Sequence, residues 1–122
     1  MIGLEPLIKY KLCYLATPYS KYEPGIHMAF VEASIFAARL LQHGIKVYSP
    51  IAHTHPLAIY GNIDPSDHNI WMPFDEAMMT ASEALLVAMM DGWQESKGIT
   101  HEINFFKNAN KPIEYLPGAM FK

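Results

Sequence analysis

Ala84-Leu85-Leu86-Val87-Ala88-Met89-Met90-Asp91-Gly92-Trp93-Gln94-Glu95-Ser96-Lys97-Gly98-Ile99-Thr100-His101-Glu102 is the stretch that decides the fold. Its apolar run, bounded by a polar turn containing Gly92, reads as a buried strand over Ala84 to Met89. Ser96, ahead of a segment that runs on to Asn108, reads as the approach to a helix beginning about Gly98. In an open α/β sheet, ligands bind at the carboxyl ends of strands beside helix N-termini. Ser96, Gly98 and Glu102 fall at that place.

Upstream, Lys11-Leu12-Cys13-Tyr14-Leu15-Ala16 is a second short apolar run, and Thr17-Pro18-Tyr19-Ser20 ends it. A long helix is expected from near Pro24 to Gly44, with Met28, Val31, Ile35, Ala38 and Leu41 recurring at helical spacing. Lys46-Val47-Tyr48-Ser49 reads as another strand, closed by Pro50. Ile51 to Asp67 reads as a long polar-aromatic loop that binds or covers a ligand. A helix from about Asp67 to Ala81 follows, with Pro73 as a kink or as its first turn. Ile113-Glu114-Tyr115-Leu116 is the last strand.

Alternating strands and helices imply a single-domain α/β fold, a doubly wound, Rossmann/flavodoxin-like parallel sheet of four to five strands with flanking helices. Residues 1–10 read as a loose arm and 11–122 as the domain. Right-handed crossovers would set the ends of the first and third strands side by side. Thr17, Tyr19, Ser20, Ser96, Gly98 and Glu102 then share one crevice, with Tyr14 pointing in, Pro18 a further substrate-binding candidate, and the long loop with His53 and His55 beside it.

The 122 residues suffice for one domain with a core. A net charge of -3 lacks the basic footprint of a nucleic-acid polymer binder. No apolar run reaches the ~18 residues of a membrane span. A lone Cys13 and the absence of a signal-like apolar core in Met1 to Tyr10 fit a reduced, cytoplasmic setting.

Several side chains could carry chemistry. Glu102, near a helix N-terminus, is expected to be stabilised as the anion and so to serve as nucleophile or base, or else to act as a plain helix-stabilising residue. Ser96-Lys97-Gly98 can offer N–H groups and a hydroxyl to an anion, or can simply cap a helix. Asp75 and Asp91 are further candidates, against an exposed helix residue and a turn former. Tyr14, Tyr19, Tyr60, Trp71 and Trp93 can stack on a planar base, though some must be core. His53, His55 and His68 match no zinc-ligand spacing, so hydrogen bonding to a polar ligand is the expected role and neither metal nor cofactor is expected.

Four motifs in order resemble the nucleoside 2-deoxyribosyltransferase superfamily. These are Tyr14-Leu15-Ala16-Thr17-Pro18-Tyr19, then Asp75 with the strand Ala81 to Met89, then Ser96-Lys97-Gly98-Ile99-Thr100-His101-Glu102, then Asn110-Lys111-Pro112-Ile113. The details look closest to a small bacterial and phage domain family within it, which combines Tyr-Leu-Ala-x-Pro-Tyr, Ser-Pro-Ile-x-His-x-His-Pro and Gly-Trp-x-x-Ser-Lys-Gly.

The resemblance implies N-glycosidic bond cleavage or base exchange on a (deoxy)nucleoside or nucleoside 5′-monophosphate. Glu102 would attack the anomeric carbon and form a covalent glycosyl-enzyme, Asp75 would orient it or bind sugar hydroxyls, and Tyr14 would touch Glu102 or the sugar. Ser96 stands where relatives acting on 5′-monophosphates carry serine, with Lys21, Arg39 and Lys97 as the nearby cations. The resemblance also implies a homo-oligomer, dimer or higher. A non-catalytic nucleotide-binding module of the same fold is the alternative expectation.

Overall fold

The computed structural model describes residues 3–121; Met1, Ile2 and Lys122, which the sequence reading assigned to the arm and the tail, lie outside them. Among the described residues there are four strands, β1 (Cys13–Ala16), β2 (Val47–Tyr48), β3 (Ala84–Met89) and β4 (Ile113–Pro117). All pair in parallel, in the order β2-β1-β3-β4. Four helices join them, α1 (Ile26–Gln42), α2 (Pro50–Tyr60), α3 (His68–Ala81) and α4 (Lys97–Asn108). This is the expected doubly wound, Rossmann/flavodoxin-like sheet.

The two central strands are apolar along their length because both faces of the sheet are covered. Side chains alternate between the faces. Cys13, Leu15, Leu86 and Ala88 face one layer, with Phe36 and Leu40 of α1. Tyr14, Ala16, Leu85 and Val87 face the other, with Met79 of α3 and Ile99 and Phe106 of α4. Each fully buried leucine of this kind stabilises by about 1.5–3 kcal/mol.

Three expectations are corrected. The arm is not loose over its whole length: Glu5–Lys9 is a short 3-10 helix, and Leu7 and Tyr10 are buried in the α1 layer. The face of α1 turned to the sheet is Ala29, Ala33, Phe36, Ala37 and Leu40, while Met28, Ile35 and Leu41 are exposed. Alanines four apart let the helix lie close to the strands, so close packing overrode hydropathy.

The expected loop over Ile51 to Asp67 is mostly α2. Ser49 and Pro50 do not merely end a strand. The Ser49 side chain accepts from the Ala52 N–H at 3.1 Å, and Pro50 takes the first turn, where its missing N–H costs nothing. The buried face of α2 is Pro50, Thr54, His55 and Ala58. That spacing is helical, but two polar residues hide it, and Pro56 inside the helix disguises it further. Pro73 likewise lies inside α3, whose N-cap is Asp67.

Lys111 fixes α3 against the start of β4. Its ammonium donates to the carbonyls of Met79, Thr80 and Ser82 at 3.2, 2.8 and 2.7 Å. These carbonyls lie at the helix end, where a cation is also favoured by the helix dipole. Lys111→Met is expected to lower unfolding stability by about 1–3 kcal/mol in urea titrations. Lys111→Arg should not restore it, because a planar fork cannot reach three carbonyls arranged around one point. Unchanged stability in Lys111→Met would contradict the clamp.

Candidate active site

Parallel pairing sets Ala16 beside Val87, so the chain leaves β1 and β3 at the same edge of the sheet. Beyond that edge α3 and α4 wall a cleft of about 230 Å³. Tyr14 closes its floor. The residue is fully buried, its ring packs at 5.7 Å from Tyr48 and 6.1 Å from Phe106, and its hydroxyl has no hydrogen-bond partner among the described residues. The Thr17 hydroxyl, Asp75 Oδ1 and the Tyr48 hydroxyl are buried and equally unpartnered among the described residues. A buried polar group without a partner costs about 1–3 kcal/mol. Those of Tyr14, Thr17 and Asp75 line one cleft, which is a reason to look for a ligand there.

α4 delivers the remaining groups. Ser96 is its N-cap and accepts from the Ile99 N–H at 3.3 Å. The cap takes one lone pair of the hydroxyl and leaves its proton free to donate. Helix geometry leaves the Lys97 and Gly98 N–H groups without intrahelical acceptors, and both residues line the cleft. Glu102 follows on the second turn and also lines it, opposite Asp75 of α3.

The expected ionisation of Glu102 is overturned. Burial, then the charge of Asp75, pushes its carboxyl up to about 8, against a smaller opposing effect of the Tyr14 hydroxyl. The helix N-terminus does not prevent this, because its field fades within the first turn and Glu102 lies beyond it. Burial raises Asp75 to about 6. Both carboxyl groups thus lie above the ordinary carboxylate range, Glu102 further than Asp75. Burial, then Glu102 and Asp75, drives Tyr14 far above the ordinary tyrosine range, so its hydroxyl stays a donor.

The other candidates divide. Tyr19 lines the cleft, together with a polar neighbour of about 240 Å³ that shares Tyr19, Ser20, Ser96 and Lys97 with it. Pro18, Asp91 and Lys21 line only the neighbour. Trp93 lines neither and packs its ring at 5.8 Å from Tyr115. His53 stacks on Phe74 at 4.9 Å. His55 is buried, stacks on Phe30 at 4.6 Å and hydrogen-bonds the Tyr19 hydroxyl through Nδ1 at 2.8 Å. Neither histidine lines the cleft; both pack α2 against its neighbours. Arg39 bonds Gln42 at the end of α1. Among the described residues no three His, Cys, Asp or Glu side chains converge as metal ligands.

Sequence reasoning missed Tyr48 and His101. Tyr48 ends β2 opposite Tyr14, and the carboxyl end of a strand was the available signal. His101 was passed over inside a motif centred on Glu102. No helix among the described residues is long and apolar enough to cross a membrane.

One domain family, described as a domain of unknown function (DUF1937), matches residues 11–116. No curated protein matches the chain.

The raised Glu102 value has a measurable sign. The folded value lies above the ordinary 4.5, so ionisation disfavours the fold: the associated stability is full below about 4.5 and is lost as pH rises through about 8. Glu102→Gln is expected to stabilise the protein by about 1–3 kcal/mol at pH 9 and hardly at all at pH 5, measured by urea unfolding. An equal difference at both pH values would refute the buried, protonated carboxyl.

Proposed function

The chain belongs to the DUF1937 family, and on the geometry above we propose that it breaks or exchanges the N-glycosidic bond of a (deoxy)nucleoside or its 5′-monophosphate. One observation carries the reading. Two half-buried acidic residues, Glu102 and Asp75, share a cleft with the unpartnered hydroxyls of Tyr14 and Thr17, over the ends of the two central strands. The likeness of the four sequence motifs to nucleoside 2-deoxyribosyltransferases supports it.

In the proposed reaction Glu102 enters as the carboxylate, once its proton has gone to solvent. Contact with a sugar that gains positive charge at its anomeric carbon favours that form. A Glu102 oxygen bonds to the anomeric carbon as the bond to the base nitrogen breaks, and the base leaves with that electron pair and a proton. Water or a second base then attacks the anomeric carbon and frees Glu102. Tyr14 donates to Glu102 or to the sugar, and Asp75 accepts from sugar hydroxyls. Lys97, Gly98 and Ser96 supply donors for a 5′-phosphate at the start of α4. Trp71 and Met72 offer an apolar wall for the base.

The raised carboxyl of Glu102 favours a second reading, a module that binds nucleotides without turnover. Both readings meet in one experiment. The protein is incubated with each nucleoside and nucleoside 5′-monophosphate, with and without a second base, followed by chromatography and thermal melting. Base release or exchange that falls roughly a thousandfold or more in Glu102→Gln is the expected result. Thermal stabilisation with no release from any compound would overturn it in favour of the binding module.

A further inference from the structure

α3 and α4 each place two consecutive polar residues toward the other. Asp75 and Glu102 form the half-buried pair already described. Their neighbours Glu76 and His101 form a second: His101 Nε2 lies 3.8 Å from a Glu76 carboxylate oxygen. At that separation the two attract without sharing a hydrogen bond, and Nε2 has no hydrogen-bond partner among the described residues although the atom itself is buried. His101 lines the cleft, whereas Glu76 does not. The two side chains are 42% and 47% exposed, which places them at the rim, above the fully buried Tyr14 and Met79. An exposed pair of this kind adds little stability, so packing does not account for it.

The depths of these residues sort the parts of a nucleoside. A sugar seated on Glu102 and Asp75 extends its base outward, toward the rim. A leaving base departs far more easily when its nitrogen is protonated as the bond breaks. On the reading of Glu102 as nucleophile, we infer that His101, oriented by Glu76, is the acid that protonates the departing base. The His101 N–H proton passes to a base nitrogen while the electron pair of the glycosidic bond moves to the base and the anomeric carbon bonds to Glu102. In the return step His101 takes a proton from the attacking water or from the second base. Glu76 acts through His101 by holding the ring, and is a positioning residue.

The test compares leaving groups that need a proton with one that does not. Steady-state rates are measured on a nucleoside substrate and on the matching nitrophenyl glycoside, whose phenolate departs unprotonated. His101→Gln is expected to lose on the order of 10²–10⁴-fold on the nucleoside and at least tenfold less than that on the nitrophenyl glycoside. Glu76→Gln should show the same selectivity at a smaller scale, while Glu102→Gln should lose both activities alike. Far-ultraviolet circular dichroism checks that each variant is folded, and His101→Asn serves as a second variant. Equal losses on the two substrates in both His101 variants, or no loss on the nucleoside, would overturn the assignment. A wild-type protein that releases neither base nor nitrophenolate overturns the nucleophile reading itself, and the acid falls with it.

Discussion

β1 pairs in parallel with β3 along its whole length, Cys13 opposite Ala84 and Ala16 opposite Val87. Parallel neighbours cannot be joined by a tight turn, so the chain must cross over the sheet between them. The crossovers are the helices, and they cover both faces. That coverage lets the two strands be apolar at every position, and it brings their carboxyl ends out at one edge. Tyr14, Thr17, Ser96 and Glu102 meet because of this pairing. Lys111 extends the same logic to α3: by holding the helix end it helps fix where Asp75 stands relative to the sheet.

The cleft carries costs that the core does not. Two carboxyl groups share one space, and desolvation raises both above the ordinary carboxylate range. The buried hydroxyls of Tyr14 and Thr17 face the same space without partners among the described residues. Other polar groups are satisfied: the Trp71 N–H finds the Asp64 carbonyl at 2.9 Å, and the Ser82 hydroxyl finds the Met78 carbonyl at 2.7 Å. Unpaired polar groups gathered in one cleft mark where the molecule is built to meet something else.

The sequence was most legible where one physical effect dominated. β3 has the bounds that its apolar run implies, and α4 begins at the serine that caps it. It was least legible where two effects competed. On α1 the larger apolar side chains looked like the core face, but close packing selected the alanines. On α2 the buried positions include Thr54 and His55, so hydropathy carried no period, and Pro56 suggested a break that helix packing overrode. Glu102 was placed correctly on α4 but assigned the wrong charge, because burial and the approach of Asp75 are tertiary facts that local position cannot reveal. His53 and His55 each lie against an aromatic ring, which is likewise a tertiary fact that spacing cannot reveal.

The central claim is that Glu102 becomes bonded to a sugar. A nucleoside or nucleoside 5′-monophosphate with fluorine beside the anomeric carbon slows the second step and lets a glycosyl-enzyme accumulate. Peptide mass spectrometry of the protein treated with such a compound tests the claim directly. The account predicts a glycosyl adduct on Glu102, in the peptide that begins α4, and none in Glu102→Gln. Base release with the adduct on Asp75, or with no adduct at all, would contradict it.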